Sequence, residues 1–210
     1  KGPAACLMMQ NEEPIFAHII PRPAAFGADE APPARVIEVG KGFTIHFSHA
    51  HEDTNDRIVC YTSGWPPANT TEFLGAWGGE APDFSCIPPA RLWRTELDLR
   101  TGTCISHAVV KGLENCCIEH PHVHPAYYSS AHPDPDSATT LSPPAPSPPR
   151  LVHMSLGDCI RGCTSPPQGY LTVNVETGET QKYFLGVRCF AEEPVLVPAP
   201  SRAPPGPMRE

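Results

Sequence analysis

No run of lysine or arginine occurs in this 210-residue chain, whose 15 basic residues are outnumbered by 23 acidic ones. Phosphate binding needs clustered cations, so the formal net charge of -8 argues against a nucleic-acid partner. Apolar runs stay far short of the roughly 20 residues that cross a bilayer as a helix. A charged-then-apolar leader is lacking after Lys1, so no targeting signal is legible. Both ends read as entering or leaving a longer sequence. Aromatic residues make up only 8 % of the chain, and no stretch carries the apolar period of an amphipathic helix. The nine cysteines are odd in number and irregularly spaced, unlike the framework of a small secreted domain. They read as reduced, half-buried thiols. Cys159 and Cys163 form one close pair, which falls two ligands short of a structural zinc site.

Proline and glycine are what the chain has in quantity, 28 and 16 residues respectively. That punctuation disfavours long helices and favours short strands joined by turns. With 40 % hydrophobic residues the chain is not disordered by composition. Strands are expected at 35–39, 43–49, 57–63, 92–99, 104–110, 151–155, 170–175, 181–185 and 195–197. In 92–99, Leu92, Arg94, Glu96 and Asp98 alternate with Trp93, Thr95, Leu97 and Leu99, and Leu92 breaks the polar face. Residues 97–102 (Leu-Asp-Leu-Arg-Thr-Gly) recur 76 positions later as 173–178 (Val-Asn-Val-Glu-Thr-Gly). Each copy reads as a strand running into a tight turn, with glycine supplying the positive φ. Between the copies, 132–149 is rich in Pro, Ser, Ala and Thr and reads as a loop insertion. Without it the repeat is about 55–60 residues, close to the longer propeller-blade periods. The fold class expected is therefore all-β, a β-propeller, with a β-sandwich as runner-up. The last residues, 199–210, read as a disordered tail.

Histidine falls in two clusters. One runs from His46 through His49 and His51 to Asp53; the other is Glu119-His120-Pro121-His122-Val123-His124-Pro125. In an extended chain His120, His122 and His124 would share a face and could bind zinc, although Pro121 and Pro125 restrict such a segment to an edge or a loop. The alternative is a set of surface histidines decorating a proline-rich turn. His49-Ala50-His51-Glu52-Asp53 is similar to the H-x-H-x-D-H signature of zinc hydrolases of the metallo-β-lactamase type, but Thr54 stands where the last histidine belongs. A non-catalytic or hydrolytic zinc-binding β protein is thus one reading.

A second reading comes from ordered resemblance to the carotenoid cleavage oxygenases. Pro21-Arg22 resembles the end of their G-x-x-P-R strand, and residues 43–53 are similar to their F-x-F-H-x-x-N-A-x-E-D segment. Residues 92–102 resemble L-x-R-x-x-I-D-L-x-T-G, and Glu119 to Pro125 is similar to E-F-P-x-V-N-P. Residues 166–178 and 190–198 resemble two further segments, the second ending E-P-V-F-V-P. Each is weak alone; their order over residues 16–198 makes the match specific. Departures are His49 for Asn, His51 for an aromatic, His120 for Phe and Asn174 for Asp.

The resemblance implies one partial domain over 1–210, part of a seven-bladed β-propeller with Fe(2+) on its axis, held by four histidines. Three glutamates orient those histidines. Carried over residue by residue, it makes His46 an iron ligand and Glu119 an orienting carboxylate. His49, His51, His120, His122 and His124 are not ligands in this reading, and the remaining ligands and glutamates would lie outside the chain. The implied activity is a dioxygenase reaction that splits a carbon–carbon double bond of a carotenoid or apocarotenoid into carbonyl products. O2 would be the co-substrate, with peripheral membrane contact and a plastid or cytosolic location. One iron ligand cannot hold Fe(2+) against water, so these 210 residues alone would be inactive.

Overall fold

The computed structural model describes residues 9–21, 33–68, 85, 87–125, 127, 148–157 and 162–197. Ten β-strands lie among the described residues: β1 (Pro14–Ile19), β2 (Arg35–Lys41), β3 (Phe43–Glu52), β4 (Arg57–Trp65), β5 (Arg91–Asp98), β6 (Thr103–Val109), β7 (Cys117–His122), β8 (Leu151–Gly157), β9 (Pro167–Asn174) and β10 (Thr180–Phe184). Strands β1 and β2 form a two-stranded sheet, β3 to β6 a four-stranded meander, and β7 to β10 a second meander. Every pairing is antiparallel.

Turn chemistry repeats from one meander to the next. In the β5–β6 turn, Asp98 Oδ1 accepts from the Arg100 and Thr101 backbone N–H groups at 2.8 and 3.0 Å. In the β9–β10 turn, Asn174 Oδ1 accepts from Glu176 and Thr177 at 3.0 and 3.3 Å. Gly102 (φ 70°) and Gly178 (φ 82°) close the two turns in the left-handed region, where a Cβ would be strained. The repeat read from the sequence thus marks the same hairpin, third strand to fourth, in two consecutive units.

The face of the first meander that carries Val59, Tyr61 and Leu92 packs on the second meander. There it meets Ile118, Met154 and Leu171 in one apolar core, with β7 lying against β3, β4 and β5. The opposite face, carrying Phe47, Cys60, Thr62, Thr95 and Leu97, borders a cavity of about 650 Å³ beneath β1, while β2 lies against β6. Leu92 is therefore no break in the alternation: with sheets on both sides, β5 buries Leu92 on one face and Thr95 and Leu97 on the other. A sandwich has two sheets around one core. Here a third sheet lies on the far face of the first, so the series is that of propeller blades.

Three expectations need correction or limits. Segment 195–197 is not a strand: Val195 and Val197 are exposed, and Pro194 supplies no N–H for a ladder. The run 119–125, read as an edge or a loop, begins inside a true edge strand, β7, whose register slips between Glu119 and His122 where Pro121 sits. The six described cysteines are free; Cys159, Arg22, the tail at 199–210 and all of the insertion except 148 and 149 lie outside the described residues.

Candidate metal centre

Strand β3 uses ten residues and breaks register with β4 twice, between Thr44 and His46 and between Phe47 and His49. Each break is a β-bulge, which adds a residue and re-aims the side chains beyond it. Simple alternation would put His46 and His49 on opposite faces. The bulges instead set His46 opposite Ser63, His49 opposite Tyr61 and His51 opposite Val59. All three imidazoles thereby share the face that packs on the second meander. Across it, β7 offers Glu119 and His120.

His46 and Glu119, the two residues expected at the metal, meet directly: His46 Nε2 lies 3.3 Å from Glu119 Oε2. Both groups are shifted toward their neutral forms. Burial, with His120 and His122 nearby, holds the His46 imidazole below its ordinary value, against a raising effect of Glu193. Burial also pushes the Glu119 carboxyl up to about 7, although the His120 backbone N–H and the Ser63 hydroxyl pull it down. A neutral imidazole that donates Nε2–H to a carboxylate keeps its Nδ1 lone pair for a metal. Glu119 Oε1 and Ser63 Oγ are buried without a hydrogen bond of normal geometry.

His120 was set aside on sequence, yet it belongs to this cluster. Its ring centre lies 5.1 Å from that of His46. Ligand atoms of His46, Glu119 and His120 all fall within 4.8 Å of one another, the one such group of three among the described residues. The His120 backbone is left-handed at φ 52°, an uncommon state for a non-glycine residue that costs roughly 1–3 kcal/mol and tends to occur at functional sites. His122 pairs with Glu193 Oε1 at 2.8 Å, and neither it nor His124 joins the group of three. The three histidines of β7 and the residues after it therefore do not converge on one ion, because the register slip at Pro121 destroys their common face. Glu193, which sequence reasoning passed over, brings a second carboxylate to the same edge. Its only sequence signal is the Glu-Pro-Val step that opens the last motif.

Donor chemistry here fits a first-row divalent metal: two imidazoles beside one carboxylate, Glu119, whose Oε1 is buried with no partner. The His49-Ala50-His51-Glu52-Asp53 run does not build a hydrolase-type site. His49 stacks on Tyr61 at 4.6 Å, and Asp53 caps the β3–β4 turn by accepting from Asn55 N and Arg57 N at 2.8 and 3.1 Å.

Burial, and then His51, lower the His49 pKa to about 4. The unfolded chain therefore binds the extra proton first, and stability falls as pH drops from about 6.5 toward 4. After a discount for partial exposure, roughly 2 kcal/mol is at stake. Urea midpoints at pH 7 and pH 4.5 should separate clearly, and by less in His49→Asn.

A family model, retinal pigment epithelial membrane protein, matches residues 1–206. The apocarotenoid-15,15'-oxygenase of Synechocystis sp. is 25 % identical over 203 residues, which is 95 % of this chain and 34 % of that protein. Cobalt-substituted Synechocystis apocarotenoid oxygenase superposes with a TM-score of 0.70 at 22 % identity, over 97 % of this chain and 36 % of the other. A chimera of that oxygenase with the retinal protein gives 0.71 at 21 % identity, over 97 % and 36 %. These neighbours share the fold, so the two meanders are part of a seven-bladed propeller. The chain spans about a third of the relatives it matches.

Proposed function

The chain belongs to the retinal pigment epithelial membrane protein family of carotenoid oxygenases, and from that premise we propose that it is part of an iron-dependent dioxygenase cleaving a double bond of a carotenoid or apocarotenoid. The observation that carries the reading is the His46–Glu119 pair on the packed face of β3 and β7. His46 would hold the metal through the ring nitrogen that Glu119 does not occupy. Glu119 would fix the tautomer and ring orientation and raise the basicity of the imidazole. A ferrous ion, when bound, supplies the electrons that activate dioxygen. Imidazole ligation leaves that ion without anionic ligands unless a carboxylate rotates in. The half-buried setting of the pair keeps bulk water from one side of the centre.

Apocarotenoid is the substrate class favoured, because the curated relative at 25 % identity is an apocarotenoid oxygenase. The domain over 1–210 is taken as one partial propeller, with 132–149 as a loop insertion and 199–210 as a tail. The zinc-binding alternative built on His120, His122 and His124 is not favoured, since His122 is engaged by Glu193 and His120 groups with His46 and Glu119 instead.

The test uses the longest native protein that carries this chain, loaded with iron and given an apocarotenal in air. Aldehyde products and one iron per chain are expected. His46→Ala should remove both, while His122→Ala should retain iron. Iron kept in His46→Ala and lost in His122→Ala would overturn the proposal.

A further inference from the structure

Ser155 decides what His120 can do. The Ser155 hydroxyl is fully buried, and its single proton goes to the Glu119 carbonyl oxygen at 3.0 Å. Ser155 Oγ also lies 3.2 Å from His120 Nδ1. With its own proton committed, the hydroxyl can only accept there, so Nδ1 must carry the hydrogen. The tautomer is thereby set: Nε2 of His120 is left with a bare lone pair. That is the state a metal requires of an imidazole, with the other ring nitrogen donating to a fixed acceptor.

Geometry aims that lone pair. The left-handed backbone at His120 (φ 52°) and the register slip after Glu119 swing the ring out of the β7 alternation and toward β3, where its centre stands 5.1 Å from the His46 ring. His122, two residues on, has no such freedom, because its Nε2 is engaged by Glu193 at 2.8 Å.

We propose that His120 is a second imidazole donor to the metal at His46, so that this chain takes up a first-row divalent cation by itself through His46 and His120, with Glu119 adjoining as the partner of the His46 ring. The inference deepens the reading of His46 as a metal-facing residue and rests on it. Two imidazoles beside a carboxylate, with ligand atoms within 4.8 Å of one another, suit a non-haem Fe(2+) and its stand-in Co(2+). Inside the larger protein, His120 would add a donor beside His46 and change how many coordination positions remain open.

The experiment is a Co(2+) titration of the 210-residue chain, followed by visible absorption and by NMR of the histidine ring protons. One cobalt per chain is expected, with the His46 and His120 resonances shifted and those of His122 little affected. His120→Asn keeps a residue that tolerates the left-handed backbone and should weaken cobalt at least as much as loss of an outer partner does, on the order of 10–100-fold. His120→Gly, which removes the side chain without backbone strain, should match it. His46→Ala should weaken binding at least as much, and His122→Phe should bind like the parent. The proposal is overturned if the parent chain binds no cobalt, if both His120 variants bind as the parent does, or if His122→Phe loses as much as they do. Oxygenase activity plays no part in these readouts: a longer protein that cleaves apocarotenal normally as His120→Asn would leave the function intact and remove only this second donor.

Discussion

Gly64→Ala should unfold or severely loosen the protein, with a loss of about 3 kcal/mol or more. The reason is space rather than dihedral freedom. A Cβ built on Gly64 overlaps the Phe43 carbonyl oxygen and lies 2.9 Å from Thr44 Cα. Both neighbours are backbone, so no side chain can swing aside. Gly64 also stands opposite Thr44 in the ladder, and its carbonyl accepts from Trp93 Nε1 at 3.1 Å. Relief of the clash requires β3 to lift from β4 at the first bulge, one step before His46. Stability and metal affinity should therefore fall together. Gly102→Ala makes the useful contrast: nothing lies within 4 Å of its Cβ, and only the positive φ is strained, so a loss of about 1 kcal/mol is expected with metal binding intact. Urea denaturation of both variants, paired with cobalt titration, checks the distinction. Equal losses in the two would mean that the close approach at Gly64 is of no consequence.

Glu119→Gln should have two large effects of opposite sign. Metal affinity should fall, because the amide has lost the charge that polarises His46; outer partners of this kind are worth 10–100-fold. Stability of the metal-free protein at alkaline pH should rise. The sign follows from the raised carboxyl: with a folded value of about 7 against an ordinary 4.5, the native state holds a proton that the unfolded state has released. Native stability is thus lost as pH climbs from about 4.5 through 7, by up to about 3 kcal/mol for a group this buried. Glutamine does not titrate, so the slope disappears. Melting of the chelated protein at pH 5.5 and pH 8 measures it. A parent protein whose stability is flat across that interval would show that Glu119 is already solvated or paired. A site that costs stability when empty and is needed when loaded is the usual compromise of a functional centre.

Much of the architecture could be read from local chemistry. Asp98-x-x-Thr101-Gly102 and Asn174-x-x-Thr177-Gly178 announce their hairpins because the turn is made by residues within five positions of one another. Most strand cores followed from β-rich runs between such turns. Strand β7 did not, because Pro121 and three histidines look like a loop until the ladder to β8 shows that the register skips the proline. The face assignment of Leu92 failed for a related reason: local alternation cannot announce that sheets lie on both sides. At the site, His46 and Glu119 were legible only through the order of several motifs, since spacing favours His49 and His51. The roles of His120 and Glu193 depend on partners 35 and 71 residues distant in sequence, and nothing local encodes those.

The two bulges of β3 also bear on how relatives of this chain should be aligned. A gap moved by one position within residues 44–49 leaves composition and hydrophobic pattern almost unchanged, yet it exchanges a side chain on the packed face for one that borders the cavity on the other side. Phe47 and His46 are neighbours in sequence and opposites in surroundings. For this strand, then, homology has to be judged by facing partner, Ser63 for His46 and Thr62 for Phe47, and a substitution that looks conservative by column can be radical by face.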